Sequence, residues 1–348
     1  MASLDLLRVV AALAVLAFHY LFRGAAADGY LDVTYPELAG YALFGYLGVQ
    51  LFFLISGYVI AWSAEGRSAF DFAFARFSRL VPGYLAGMTL TFAILLVAGH
   101  PALPVSASQY VANLFFFAPA LGQPFVDGVY WSIMLEIVFY AWVAVLIALG
   151  LFQSRLPEWI AGWMLLAALN EFVLDSGALR LAFVTEYAGF FSGGVLAFHM
   201  RRHGRTPETL VLMAAAFLLA AATAFRTRGW MLDHYDVALS PVALVTAAAV
   251  IHLLFHGALA LKTALPGARA IGFAGLMTYP LYLVHQNAGY IVIDALEPAL
   301  GRWGALAATL VLACVVSAII VRYVERPARR LLSRLGERLR RIAPLRPA

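Results

Sequence analysis

Apolar residues dominate the chain in runs of about twenty, separated by short polar stretches. A transmembrane helix needs about 20 predominantly apolar residues, and windows of that length predict ten membrane-spanning helices. The predicted spans are 4–22, 40–63, 82–98, 129–150, 157–174, 181–200, 208–226, 237–257, 271–295 and 303–323. A further apolar run, 110–120, is too short to span as a helix and is predicted to be re-entrant or interfacial. The predicted fold class is therefore an all-α integral membrane protein, a bundle of ten transmembrane helices.

Composition and charge agree with this prediction. Residues of the chain are 63% hydrophobic and 12% charged, whereas soluble domains carry about 25% charged residues. With the N-terminus in the cytoplasm, 18 of the 24 Lys and Arg residues fall in predicted cytoplasmic segments, as the positive-inside rule requires. The net charge of +5 thus reflects topology and indicates no nucleic-acid partner. We expect a transmembrane domain over 1–327 and a basic cytoplasmic tail over 328–348, an amphipathic helix on anionic lipid headgroups.

The first predicted span contains two ionisable residues, Arg8 and His19. Eleven steps of 100° place both side chains on one face of a helix, roughly 16 Å apart along its axis. Ionisable residues inside a membrane span are costly and mark functional sites by default. A cleavable signal peptide ending near Ala27 is the alternative, but Asp5 and Arg23 disfavour it.

A carboxyl group, Glu136, lies inside the fourth predicted span, with Ser132 and Tyr140 one turn to either side on the same face. Such a carboxyl group must be protonated or paired. Pairing with His19 would orient the imidazole as the third group of a triad orients its base. A hydrogen-bond network that holds the bundle together is the simpler interpretation.

Two further patterns have a chemical interpretation. Arg76 and Arg79 are three residues apart before Pro82, so on a helix they face one side and can form a two-pronged phosphate clamp. The alternative is that they are ordinary positive-inside flanking residues. Proline in the run Tyr279–Gln286 bends the ninth predicted span, so this run is expected to line a cavity. No third ligand accompanies the His252 and His256 pair, so no metal site is predicted.

Five motifs occur in order along the chain and together carry a family resemblance. They are Arg8 and His19 separated by ten residues, GlyValGlnLeuPhePheLeuIleSerGly at 48–57, Arg76 and Arg79 before Pro82 and Tyr84, TrpSerIleMetLeuGlu at 131–136, and TyrProLeuTyrLeuValHisGln at 279–286. The chain from residue 4 to about 327 resembles the membrane-bound acyltransferase 3 family, integral-membrane O-acyltransferases that modify bacterial surface sugars and some antibiotics.

The resemblance implies ten spans in a bacterial cytoplasmic membrane, with both termini in the cytoplasm. It also implies transfer of an acyl group, most often acetyl, from acyl-CoA to a hydroxyl of a carbohydrate, glycolipid or small molecule. Carried over by position, the expected residues are the catalytic His19 and the donor contacts Arg8, Arg76 and Arg79. We expect Glu136 to be the catalytic partner of His19. The expected cavity-lining residues are Ser56, Ser132, Tyr140, Tyr282 and His285. The rival function is a proton-coupled transporter or flippase with His19 and Glu136 as a proton relay.

Overall fold

The computed structural model describes residues 1–26, 29–261 and 265–342, and every regular element in these ranges is helical. The last six residues of the predicted tail, 343–348, lie outside the described residues. The α-helices are α1 (Ala2–Ala17), α2 (Gly24–Ala26), α3 (Pro36–Ala42), α4 (Gly48–Ala64), α5 (Ala69–Ala98), α6 (Ala107–Asn113), α7 (Tyr130–Ala148), α8 (Leu151–Ser154), α9 (Leu156–Leu169), α10 (Gly177–Phe183), α11 (Ala188–His203), α12 (Pro207–Ala224), α13 (Arg226–Tyr235), α14 (Pro241–Ala260), α15 (Ala268–Val284), α16 (Asn287–Ile319) and α17 (Arg326–Ile342).

Short helical turns of other types adjoin the α-helices. The 3₁₀ turns are Leu43–Leu47, Ala118–Leu121 and Thr185–Tyr187. Three π-helical turns continue α1, α9 and α16 directly: Phe18–Arg23, Asn170–Leu174 and Ile320–Glu325. Each π turn contains a buried histidine or glutamate, respectively His19, Glu171 and Glu325. Because π turns inside α-helices occur frequently at functional sites, these three turns are candidates for such sites.

Seven helical segments of the described chain are long and apolar enough to cross a membrane. An eighth is reached if Gly177–Phe183 and Thr185–His203, bent by 61° at their junction, form one span. The protein is therefore a multi-pass membrane protein, but the predicted number of ten spans is not confirmed. Predicted spans 157–174 and 271–295 fall short because the first carries buried Asn170 and Glu171 and the second is interrupted after Val284.

The apolar run at 110–120 does not form a spanning helix. It contributes to α6 and to the 3₁₀ turn Ala118–Leu121. Ser106 and Gln109 form a capping box at the start of α6, which satisfies N–H groups that the helix itself leaves unpaired. The buried Asn113 side chain donates to the carbonyl groups of Gln109 and Pro124.

The chain divides into two compact units. The first comprises Met1–Gly48, Phe77–Met134 and Ala264–Glu337, and the second Val49–Arg76, Leu135–Thr263 and Arg338–Ala348. Within the first unit, α1 packs against α15 and against the 3₁₀ turn that precedes α4. Gly45 makes the second contact possible, because a Cβ atom there would collide with the carbonyl group of Ala14. This packing fixes α1 between two neighbours, with its C-terminal end at the site described below.

Within the second unit, α11 packs against α12, which in turn packs against α14 and α9. Helix α4 crosses α11 at two glycines that lie against the opposing backbone. A Cβ atom on Gly57 would collide with the carbonyl group of Phe191, and one on Gly194 with that of Leu54. Small residues that let two backbones approach closely are typical of helix packing in membranes.

Substituting Gly57 with alanine should destabilise the second unit, because the added methyl group has no space at the crossing. Overpacking of this kind costs about 1–3 kcal/mol, measurable as a lower thermal unfolding temperature of the purified protein in detergent. Gly162→Ala is the matched control, since nothing lies within 4 Å of a Cβ atom at that helical glycine. Equal stability of Gly57→Ala and Gly162→Ala would contradict the crossing as described.

Candidate active site

His19 lies in the π turn that follows α1, two residues after the regular α-helix ends at Ala17. Its side chain is 7% exposed. The Nδ1 atom lies 2.9 Å from the carbonyl oxygen of Val15 and 3.0 Å from Nε2 of His285. The structure thus brings together two residues that the sequence placed 266 positions apart.

His285 lies at a break in the polypeptide, where the sequence predicted one continuous ninth span. Helix α15 ends at Val284 and α16 begins at Asn287, which leaves His285 and Gln286 between two helices. Such a break frees carbonyl groups that must find other donors in a membrane. The Tyr20 hydroxyl donates to the carbonyl oxygen of His285 at 2.5 Å. Irregular backbone is thus held by protein contacts, and the imidazole of His285 is fully buried beside His19.

The hydrogen-bond partners determine which nitrogens of the two histidines carry protons. Nδ1 of His285 lies 2.8 Å from the carbonyl oxygen of Tyr282, and Nδ1 of His19 faces that of Val15. Because a carbonyl oxygen only accepts, both Nδ1 atoms carry hydrogen when the rings are neutral. Nε2 of His285 therefore holds a lone pair, and it shares the Nδ1–H of His19 with the carbonyl oxygen of Val15. This arrangement leaves the basic lone pair of His19 on Nε2, where a general base needs it.

Polar side chains around His285 and Gln286 hold the break in place. Asp127 accepts from the backbone N–H of Asn287 at 2.9 Å and from that of Val129 at 3.1 Å. Arg23 donates to the side-chain oxygen of Gln286 at 2.8 Å. Burial raises the pKa of Asp127 to about 6, although the two backbone N–H groups oppose the shift. Sequence reasoning missed Asp127, whose signal was a lone carboxyl group in a long, almost uncharged segment.

Arg8 lies on α1 and forms an ion pair with Asp5, the two atoms being 2.7 Å apart. This is the local pairing that the three-residue spacing permits. The Arg8 side chain is 26% exposed, so its guanidinium is not sealed in the core. Its predicted role as a donor contact stays a prediction.

Glu136 and its partners form a separate hydrogen-bonded cluster in the second unit. Ser56 donates to the Glu136 carboxyl group at 2.7 Å, and the Tyr140 hydroxyl donates to the same oxygen, Oε1. Ser132, predicted on the same face, instead makes a 2.7 Å hydrogen bond with the Tyr282 hydroxyl. The predicted pairing of Glu136 with His19 stays a prediction.

The two predicted donor arginines lie on α5 and have different partners. The guanidinium of Arg76 lies 6.0 Å from the ring centroid of Phe72 and interacts electrostatically with Tyr140. Arg79 forms an ion pair with Glu325, with 2.9 Å between Nη1 and Oε2. Both arginines are partly exposed, so both remain accessible to an anion.

No group of three or more His, Cys, Asp or Glu side chains within the described ranges could hold a metal ion. His252 is buried, and its Nδ1 atom lies 2.8 Å from the carbonyl oxygen of Ala248. Its surroundings are aromatic, with the Phe190 and Phe217 rings 5.8 and 5.1 Å away between centroids.

Comparison with known proteins gives a consistent result. The acyltransferase 3 model, described as an acyltransferase domain, matches residues 1–322. The chain is 26% identical over 299 residues to the exopolysaccharide production protein ExoZ of Rhizobium meliloti (strain 1021), covering 81% of this chain and 89% of that protein. It is 30% identical over 145 residues to the acyltransferase MdmB of Streptomyces mycarofaciens, covering 40% of this chain and 37% of that protein. No solved structure matches the chain significantly.

Proposed function

The chain belongs to the acyltransferase 3 family, and from this premise we propose that it transfers an acyl group from acyl-CoA to a hydroxyl of a carbohydrate or glycoconjugate, with His19 as the general base. One observation carries the proposal: the 3.0 Å hydrogen bond between Nδ1 of His19 and Nε2 of His285. Family membership decides the class of reaction, acyl transfer, and sets aside the transporter interpretation. The donor, the acceptor and the roles of individual residues belong to the proposal.

In the proposed reaction, Nε2 of His19 removes the proton from the acceptor hydroxyl as its oxygen attacks the thioester carbonyl carbon. The new C–O bond forms, the C–S bond breaks, and coenzyme A leaves as a thiolate that takes up the proton from His19. While His19 is an imidazolium, its Nδ1–H donates to the lone pair on Nε2 of His285, which stabilises the charge. Direct transfer needs no covalent enzyme intermediate: the proton of the acceptor hydroxyl ends on the thiol of coenzyme A, and His19 returns to its neutral form.

Coenzyme A carries several phosphate charges, and guanidinium groups are the natural partners of phosphate. The proposal places Arg76 and Arg79 at the nucleotide end of the donor, and Arg8 along the path of the uncharged pantetheine arm toward His19. In support, both α5 arginines lie in a part of the chain that the positive-inside rule assigns to the cytoplasm, where acyl-CoA is found.

The names of the relatives support a carbohydrate acceptor. One is named for exopolysaccharide production and the other is named an acyltransferase. We therefore propose a sugar hydroxyl as the acceptor, reached from the outer face or the bilayer of a bacterial cytoplasmic membrane. Mass spectrometry of envelope glycans from a deletion strain would identify the acyl modification that is lost.

The direct test incubates the purified protein in detergent with acetyl-CoA and measures release of the free thiol with and without candidate acceptors. Saturable thiol release that depends on an acceptor supports the proposal. Succinyl-CoA and longer acyl-CoA donors in the same assay define the acyl group. An enzyme that neither binds nor consumes any acyl-CoA would overturn the donor assignment.

Arg76→Ala should raise the apparent KM for acetyl-CoA about tenfold or more, because a charge-assisted contact to phosphate is lost. The acceptor KM should change far less. Arg67→Ala is the matched control, since Arg67 is an exposed arginine of the same polar segment. Donor KM values that are equal in the two variants would identify Arg76 as ordinary positive-inside flanking.

A further inference from the structure

A buried carboxylate, Glu325, holds two arginines from distant parts of the chain. Glu325 is the last residue of the π turn that precedes α17 and is 1% exposed. Its Oε2 atom lies 2.9 Å from Nη1 of Arg79 and 2.8 Å from Nη2 of Arg329. Two guanidiniums therefore converge on one oxygen atom, and all three residues belong to the first unit.

The surroundings of Glu325 fit the carboxylate closely. Gly83 leaves room for it, because a Cβ atom at that position would come within 2.6 Å of Oε1. The guanidinium of Arg79 also lies over the ring of Tyr279, 5.1 Å from its centroid, and the Tyr279 hydroxyl is fixed on the carbonyl oxygen of Leu80 at 2.9 Å. Arg79 is thus held from two sides, by a carboxylate and by an aromatic face.

Both guanidiniums of this cluster reach the surface. Arg79 and Arg329 are 27% and 34% exposed, although the carboxylate that they share is buried. Glu325 holds them in fixed positions, so little side-chain freedom is lost when they bind an anion. A pre-ordered pair of partly exposed guanidiniums is suited to bind phosphate.

We propose that Arg329 is a further donor-phosphate contact and that Glu325 is a positioning residue, which holds Arg79 and Arg329 side by side for the phosphates of acyl-CoA. The proposal rests on the proposed function, since it extends the donor contact assigned to Arg79. Under it, the start of the basic helix α17 is part of the donor site, in addition to any contact of that helix with lipid. Glu325 acts on the donor only through the two arginines.

The test compares two donors that share the thioester and differ in phosphate. Acetyl-CoA carries the phosphates, and S-acetylpantetheine carries none. In Arg329→Gln, the ratio of kcat/KM for acetyl-CoA to that for S-acetylpantetheine should fall about tenfold or more, through a higher KM for acetyl-CoA. Glu325→Gln should lower the same ratio, because it keeps the shape of the side chain and removes the charge that holds the arginines together. Arg329→Lys should restore part of the loss, since lysine keeps the charge without the fork.

Arg330→Gln is the matched control, because it removes the same charge from the exposed neighbouring position of α17. Its donor ratio should stay within about twofold of wild type, given that exposed charges contribute little. If Glu325→Gln fails to fold in detergent, the donor ratio of Arg329→Gln by itself tests the proposal.

Three outcomes are distinguishable. A wild-type protein that consumes no acyl-CoA overturns the proposed function, and this proposal with it. A wild-type donor ratio in Arg329→Gln, with acetyl-CoA turnover intact, overturns this proposal alone and leaves the proposed function standing. If added anionic phospholipid raises the thermal unfolding temperature of Arg329→Gln in detergent less than that of wild type, and the donor ratio is unchanged, Arg329 is a headgroup contact and the proposal is also overturned.

Discussion

His19→Ala should abolish acyl transfer while the protein remains folded. The loss expected from removing a general base is about 10²- to 10⁴-fold in kcat, and it should appear with every acceptor that the wild-type enzyme accepts. In the proposed reaction, His19 is the group that removes the proton from the acceptor hydroxyl. The measurement is thiol release under saturating donor and acceptor, with elution in size-exclusion chromatography and thermal unfolding recorded for each variant.

His19→Asn tests the basic lone pair of His19 separately from the hydrogen bonds that its Nδ1 atom makes. Asparagine places an amide nitrogen near the position of Nδ1, so it can still donate to Val15 or His285, but it has no basic lone pair. It should therefore be as inactive as His19→Ala and more stable. His252→Asn is a close control, because His252 is also 7% exposed and its Nδ1 atom also faces the carbonyl oxygen four residues earlier. Turnover retained in His19→Asn would remove His19 from the mechanism.

His285→Ala should lower kcat on the order of 10²-fold with little change in donor KM. Without the lone pair on Nε2 of His285, the imidazolium of His19 loses the acceptor that orients and stabilises it, as a base loses activity without its orienting partner. The loss should fall on kcat because the imidazolium exists only during the reaction.

His285→Gln distinguishes this role from packing. Glutamine places an amide oxygen near the position of Nε2, so it can accept from Nδ1–H of His19 and should recover part of the activity. A donor KM that rises with unchanged kcat in His285→Ala would instead indicate that His285 contacts the donor. Equal activity of His285→Ala and wild type would leave His285 as a space-filling residue of the break.

The sequence was sufficient to predict an all-helical membrane protein. Charges isolated inside apolar runs indicated His19 and Glu136 as candidate site residues, and a three-residue spacing indicated Arg76 and Arg79. The contact between His19 and His285 could not be derived, because it depends on how α1 packs on α15. Nor does a hydropathy window detect a break in a helix. The polar triplet His285, Gln286 and Asn287 in an apolar run, five residues after Pro280, was the signal that marked it.

The cluster around Glu136 shows where helical spacing alone misleads. Ser132 and Tyr140 lie four residues to either side of Glu136 and were expected to flank it equally. Side chains on an α-helix tilt toward its N-terminus, so Tyr140 leans back toward Glu136 while Ser132 leans away. Tyr140 accordingly donates to Glu136 and Ser132 bonds to Tyr282. When this tilt is taken into account, the spacing predicts one partner for Glu136, which is Tyr140, rather than two.

The π turn at Phe18–Arg23 makes this region sensitive to the length of the chain rather than to its composition. A π turn corresponds to a single-residue insertion into an α-helix. Deleting one residue there would let α1 continue as a regular helix, and the residues beyond the turn would keep their orientation. The change would be confined to the turn itself, where His19 and Tyr20 would alter their direction although neither had been replaced. Chain length in this turn is thus as much a determinant of the site as the identity of its histidine.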